Sequence, residues 1–126
     1  MPVLAVVPDL YFATRIAATA KAAGVDLELV AAPRAAARAA EAGATLVLLD
    51  LHGAGALALV SELKRHAPNV PIVGFFSHVD TALKRDALAA GADAVLPRSQ
   101  FVGRLAALLA HGVAALNAGP REDLRL

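Results

Sequence analysis

Apolar residues in this chain come in short unbroken runs, and between the runs they recur every three or four positions. The runs are Val3 to Val7, Leu27 to Ala31, Leu46-Val47-Leu48-Leu49 leading into Asp50, Ile72 to Phe76, and Ala94-Val95-Leu96 stopping at Pro97. A strand with one wet face alternates apolar and polar residues, whereas an unbroken run suits a parallel strand covered on both faces. Helical spacing fills the intervals. Tyr11 to Ala23 sets Phe12, Ile16 and Ala20 on one side, and Pro33 to Ala42 opens on a proline, tolerated at the first helical position. Leu57, Val60 and Leu63 mark the inward face of a third helix. Asp80 stands where it would cap a fourth, in which Leu83 and Ala87 share a face. The last helix carries the longest stripe, Phe101, Leu105, Leu108, Leu109, Val113 and Leu116, and is expected to run through Gly112 at a small cost.

A repeated junction supports this alternation. Ala22-Ala23-Gly24-Val25-Asp26, Glu41-Ala42-Gly43-Ala44-Thr45 and Ala89-Ala90-Gly91-Ala92-Asp93 each precede an apolar run. Glycine tolerates the left-handed conformation that closes a helix, so each reads as a helix end ahead of a strand. Five strand-then-helix units with short, right-handed connections give an α/β domain of (βα)5 type over residues 1–118, with residues 119–126 as a polar tail.

Composition narrows the function. The 126 residues suffice for one buried core, and with 58% hydrophobic but 4% aromatic residues that core is built from alanine, valine and leucine. Twelve basic against 11 acidic residues leave a net charge of +1, without the basic face or interleaved aromatics of a nucleic-acid binder. No cysteine is present, which excludes disulfides, thiolate metal sites and cysteine nucleophiles and suits a reducing compartment. The first apolar run lacks a basic leader and reaches Pro8-Asp9 too soon for a signal peptide, and no run approaches the roughly 18 residues of a membrane span. A cytoplasmic protein without a membrane or nucleic-acid partner is the expectation.

Open parallel sheets bind ligands beyond the carboxyl ends of their strands. The positions there are Pro8 and Asp9 after the first strand, and Asp50, Leu51 and His52 after the third. Ser77 and His78 follow the fourth, and Pro97 and Arg98 the fifth. Two acids, a hydroxyl and a guanidinium therefore share one rim. Asp9 also stands where an N-cap of the first helix belongs.

Four stretches carry a resemblance: Val6-Val7-Pro8-Asp9, Leu48-Leu49-Asp50-Leu51, Pro71 to Ser77, and Ala90 to Arg98. In order and spacing they resemble the CheY-like receiver domains of bacterial response regulators, over essentially the whole chain. The resemblance implies a flavodoxin-like three-layer sandwich with five parallel strands in the order 2-1-3-4-5. It makes Asp50 the phosphoacceptor for a histidine kinase, and gives Mg2+ to Asp9, Asp50 and the backbone carbonyl of His52. Ser77 takes the place of the switch hydroxyl, and Arg98 that of the family's lysine. A phosphoacceptor signalling domain rather than a turnover enzyme follows, with output through a downstream signalling protein or a homodimer. The residue types make chemical sense, because a metal and a fixed cation offset the repulsion between a carboxylate and an incoming phosphoryl group.

The chain departs from the family pattern at four places. Pro8 replaces the first of two adjacent acids, which weakens magnesium binding. Arg98 keeps the charge of the lysine but not its shape. Ser99 stands where a proline usually follows, and Val95 where many receivers have an aromatic on the fifth strand. A degenerate receiver, acting as an interaction module without phosphorylation, is therefore the alternative. A third reading is a metal- or small-molecule-binding module in which Asp50, His52 and His78 hold a transition metal. Asp50-Leu51-His52-Gly53-Ala54-Gly55 also fits the D-x-H-x-x-G pattern of cobalamin-binding domains. It follows the third strand rather than the first and lacks a later Gly-Gly, so the match reads as chance. Gly53-Ala54-Gly55 lacks the Lys and Ser/Thr of a phosphate loop.

Overall fold

A computed structural model of the protein describes residues 1–77 and 80–116. Strands β1 (Val3–Val6), β2 (Leu27–Leu29), β3 (Leu46–Asp50), β4 (Ile72–Phe76) and β5 (Ala94–Pro97) alternate with helices α1 (Leu10–Ala22), α2 (Ala32–Ala42), α3 (Ala56–His66), α4 (Thr81–Ala90) and α5 (Arg98–His111). The strands form one parallel sheet in the order β2-β1-β3-β4-β5. The fold is the five-stranded, three-layer flavodoxin-like sandwich expected from the sequence.

Two apolar layers sandwich the sheet. On one face Phe12, Ile16 and Ala20 of α1 and Phe101, Leu105 and Leu108 of α5 pack on Leu46, Leu48, Val73 and Phe75. On the other, Ala35 and Ala39 of α2, Val60 and Leu63 of α3 and Ala87 of α4 pack on Val47, Leu49 and Ile72. Both faces of β3 are therefore buried, which is why its sequence is an unbroken apolar run. The alanines of α2 let that helix lie close to the sheet.

The repeated glycines close helices as their position implied. Gly43 ends α2 with φ 62° and ψ 48°, a left-handed geometry that a side chain would strain, and Gly24 and Gly91 also have positive φ. Asp9 and Asp80 cap α1 and α4 by accepting from the backbone N–H of Phe12 and Leu83.

Several boundaries differ from the sequence reading. Strand β2 stops at Leu29, although the N–H of Val30 still donates to the carbonyl of Ala5 (3.0 Å). Helix α1 begins one residue early, at Leu10, and Pro33 is the second residue of α2 rather than the first. Gly112 ends α5 after all, with φ 66° and ψ −154°. Val113 and Leu116 nevertheless pack against the core, since an apolar stripe needs only the right side and not an unbroken helix. The end of the expected domain at 118 and the tail at 119–126 lie outside the described residues.

At the edge of the sheet, Glu28 of β2 is held by Arg38 of α2 through one edge of the guanidinium, Nε donating to Oε2 and Nη2 to Oε1 at 2.9 Å. This hydrogen bond holds the Glu28 carboxyl below its ordinary value of 4.5, with the charges of Arg38 and Arg34 acting in the same sense against partial desolvation. Arg38 is raised in turn by the same bond and charge.

Candidate functional site

The strand order reverses between β1 and β3, so the crevice at their carboxyl ends is where the fold puts a ligand. Asp50 is the last residue of β3. Alternation with Leu46 and Leu48 aims it at the α1/α5 face. It is 6% exposed, and among the described residues it is the only buried charged side chain. Its Oδ1 accepts from the backbone N–H of His52 at 2.9 Å, an aspartate turn that fixes the carboxylate as the chain leaves the strand. Its Oδ2 lies 3.9 Å from Nη2 of Arg98, close enough for charge attraction and too long for a hydrogen bond.

Arg98 opens α5 immediately after Pro97. Its guanidinium carbon lies 4.4 Å from the centre of the Phe12 ring and 5.8 Å from that of Phe75. Phe75 is stacked on Phe101, with centres 4.4 Å apart and planes at 22°. The Arg98 Nε atom is buried without a hydrogen-bond partner among the described residues.

Asp9 is exposed, and its Oδ1 is engaged by the N–H of Phe12 at 3.2 Å. The loop it belongs to touches the loop after β3. A Cβ added to Gly53 would stand 3.3 Å from Cγ of Pro8 and 3.4 Å from the carbonyl oxygen of Asp50. Ser77, one residue past β4, is exposed and donates its backbone N–H to Nε2 of His52 at 3.0 Å. Leu51 fills the space left by Gly74 on β4, three of its carbons lying 3.0 Å from where a Cβ would be. The loop bearing His52 is thus anchored on one side by packing and on the other by its imidazole.

Asp50, His52, Ser77 and Arg98 are joined by direct contacts, and Asp9 connects to them through Phe12 and the Pro8–Gly53 contact. The carbonyl of His52 and the carboxylates of Asp9 and Asp50 offer oxygen donors of the type magnesium prefers, with two acids where three would bind more tightly. The transition-metal reading depends on His78, which lies outside the described residues. Nε2 of His52 is already accepting from Ser77, and no cluster of three or more His, Asp or Glu suited to a metal occurs among the described residues. Val95 is buried on the α2–α4 side, and β5 carries no aromatic residue to pair with Ser77.

Sequence reasoning placed Phe12 on a helix face and Phe75 in a strand, and so missed that both contact Arg98. It also gave the His52 ring no tie to Ser77. The one available signal was compositional, since the chain has four phenylalanines and three of them meet at this site.

No protein-family model and no curated protein sequence matches the chain. Solved structures do. The receiver domain of NtrX from Brucella abortus is 25% identical with a TM-score of 0.76, over 93% of this chain and 99% of that one. The chain has a receiver-domain fold. A response regulator from Burkholderia pseudomallei, solved with a phosphorylated aspartic acid, calcium ion and citrate, is 22% identical with a TM-score of 0.78, over 98% of this chain and 74% of that one. The beryllofluoride-activated NtrC4 receiver domain dimer is 17% identical with a TM-score of 0.75, over 88% of this chain and 94% of that one. Receivers also occur inside longer chains: NtrX from Brucella abortus in complex with ADP is 22% identical with a TM-score of 0.76, and this chain spans 29% of it. No helix among the described residues of this chain is long and apolar enough to cross a membrane.

Proposed function

We propose that this receiver is a signalling domain that accepts a phosphoryl group on Asp50 from a histidine kinase and passes the change to a partner protein. The observation that carries the proposal is the burial of Asp50 at the mouth of β3 with a guanidinium 3.9 Å from its Oδ2. Burying a carboxylate is costly unless it is paired or hydrogen-bonded, and here the support is arranged around one oxygen and, among the described residues, leaves the other without a hydrogen bond.

In the transfer, Oδ2 of Asp50 attacks phosphorus, an O–P bond forms, and the bond to the donor nitrogen breaks. The donor imidazole leaves with the electron pair. Arg98 attracts the oxygens of the phosphoryl group, and Oδ1 stays fixed by the N–H of His52. A magnesium ion held by Asp9, Asp50 and the His52 carbonyl would neutralise further charge. Once three new oxygens sit at this rim, the Ser77–His52 link is the nearest contact between the β3 and β4 loops that they would disturb. Output by a homodimer fits the same reading.

Pro8 and the Arg98–Asp50 contact favour a second reading, in which the pair is a permanent structural feature and the surface binds a partner without phosphorylation. Acetyl phosphate with magnesium, followed by intact-protein mass, separates the two. Gain of one phosphoryl mass, absent in Asp50→Asn, supports the first. Absence of an adduct at saturating donor and magnesium, in folded protein, rejects it in favour of the second.

A further inference from the structure

We infer that Phe12 is a positioning residue for Arg98, holding the guanidinium over its ring so that it faces Asp50 without capturing it. The inference rests on the phosphoacceptor reading of Asp50 and adds a residue that neither the sequence pattern nor the resemblance assigns.

Three of the four phenylalanines in this aromatic-poor chain pack together, and two of them lie beneath one arginine. Phe75 and Phe101 form a stacked slab, and Phe12 meets Phe75 edge-on, with centres 5.2 Å apart and planes at 64°. That arrangement leaves a face of Phe12 to the guanidinium at 4.4 Å. A cation over an aromatic face is attracted by the ring quadrupole. Among the described residues no hydrogen bond orients the fork. Nε is buried there without a partner, and Oδ2 of Asp50 lies 3.9 Å from Nη2. The Phe12 ring is then the contact that holds the guanidinium.

Phe12 is itself fixed. It is 3% exposed and stands three residues into the chain from Asp9, whose carboxylate holds its N–H. Asp9 thereby sets the helix start that aims Phe12, and Phe12 sets Arg98.

The consequence concerns the nucleophile. An arginine fork released from the ring would close on Asp50 as a bidentate pair, occupying the oxygen that must attack phosphorus. Held at 3.9 Å, it leaves Oδ2 open and still attracts the oxygens of the arriving group. A flexible lysine needs no such shelf, whereas the planar fork of arginine does.

The test uses the full chain with acetyl phosphate and magnesium. Phosphoryl transfer forms the O–P bond to Asp50 as the bond between phosphorus and the acetyl oxygen breaks, and acetate leaves with the electron pair. Phe12→Leu should slow the uptake about tenfold, while Phe12→Tyr, which keeps the ring face, should stay within about twofold of wild type. In an Arg98→Met background, Phe12→Leu should add no further loss. An NMR readout separates positioning from packing: the Arg98 Hε resonance should be shifted upfield by ring current in the wild type and Phe12→Tyr, and return toward its ordinary position in Phe12→Leu. Should Phe12→Leu melt far below wild type, Phe12→Met offers the same comparison with more of the volume retained. A wild type that takes no phosphoryl group rejects the phosphoacceptor reading and this inference together. A labelled wild type matched in rate by Phe12→Leu, or an unmoved Arg98 resonance, rejects the inference alone.

Discussion

Replacing Arg98 by methionine keeps an apolar stem and removes the charge 3.9 Å from Oδ2 of Asp50. Two unit charges at that separation attract by about 1 kcal/mol in bulk water and by about 4 kcal/mol at an effective dielectric of about 20. The Asp50 side chain is 8% exposed and that of Arg98 34%, so water screens the pair from one side. A coupling of about 1–2 kcal/mol is the expected result, below the few kcal/mol of a fully buried pair. The single variant Arg98→Met also loses the contact with Phe12, so its own ΔΔG overstates the ion pair. A double-mutant cycle removes that excess. Wild type, Arg98→Met, Asp50→Asn and the double variant would be unfolded in urea at pH 7 and low salt. Asp50→Asn keeps an acceptor for the N–H of His52, so the cycle reports the charge rather than the turn. It should be about 1–2 kcal/mol more favourable to stability in the Arg98→Met background than in wild type, because there it relieves a buried carboxylate without a counter-charge. Added salt should shrink the difference. Four free energies that add within about 0.5 kcal/mol would refute the reasoning, and would leave Arg98 without the electrostatic role proposed for it.

Gly74→Val should destabilise the protein by about 1–3 kcal/mol in urea, because the new side chain must displace Leu51, whose carbons lie 3.0 Å from the Cβ position. Its effect should reach the site as an altered amide resonance of His52, and wild-type stability in this variant would show that the Leu51 packing is loose. Glu28→Gln should lower the melting temperature at pH 7, and the difference from wild type should close as pH falls. The sign follows from the depressed carboxyl: its stabilisation is present above the unfolded value near 4.5 and is lost as pH drops through the lower folded one. A gap that widens in acid would contradict the Arg38 bond as its cause.

The helix and strand pattern was legible because both faces of the sheet are covered. Leu46 to Leu49 must be apolar on each side, and Phe101, Leu105 and Leu108 must share one stripe. Gly43 was legible for a local reason, since only its backbone geometry had to be met. The end of α5 was not, because Val113 and Leu116 keep the period after the helix stops at Gly112 and still reach the core. Strand β2 was overextended for a related reason: Val30 and Ala31 remain apolar beside the sheet although the strand has ended.

The rim followed from sequence in the same way. Where strands end is a property of each strand, so Asp9, Asp50, Ser77 and Arg98 could be named without knowing how far apart they are. Contacts between elements distant in the chain needed the folded structure. Phe12 and Arg98 are brought together only by the docking of α1 and α5 on one face, and His52 meets Ser77 only because β3 and β4 are neighbours. Local backbone and side-chain preferences set the elements and their ends. Packing of α1 and α5 on one face of the sheet decided that Asp50 would be buried beside one guanidinium, and that the guanidinium would lie over an aromatic ring.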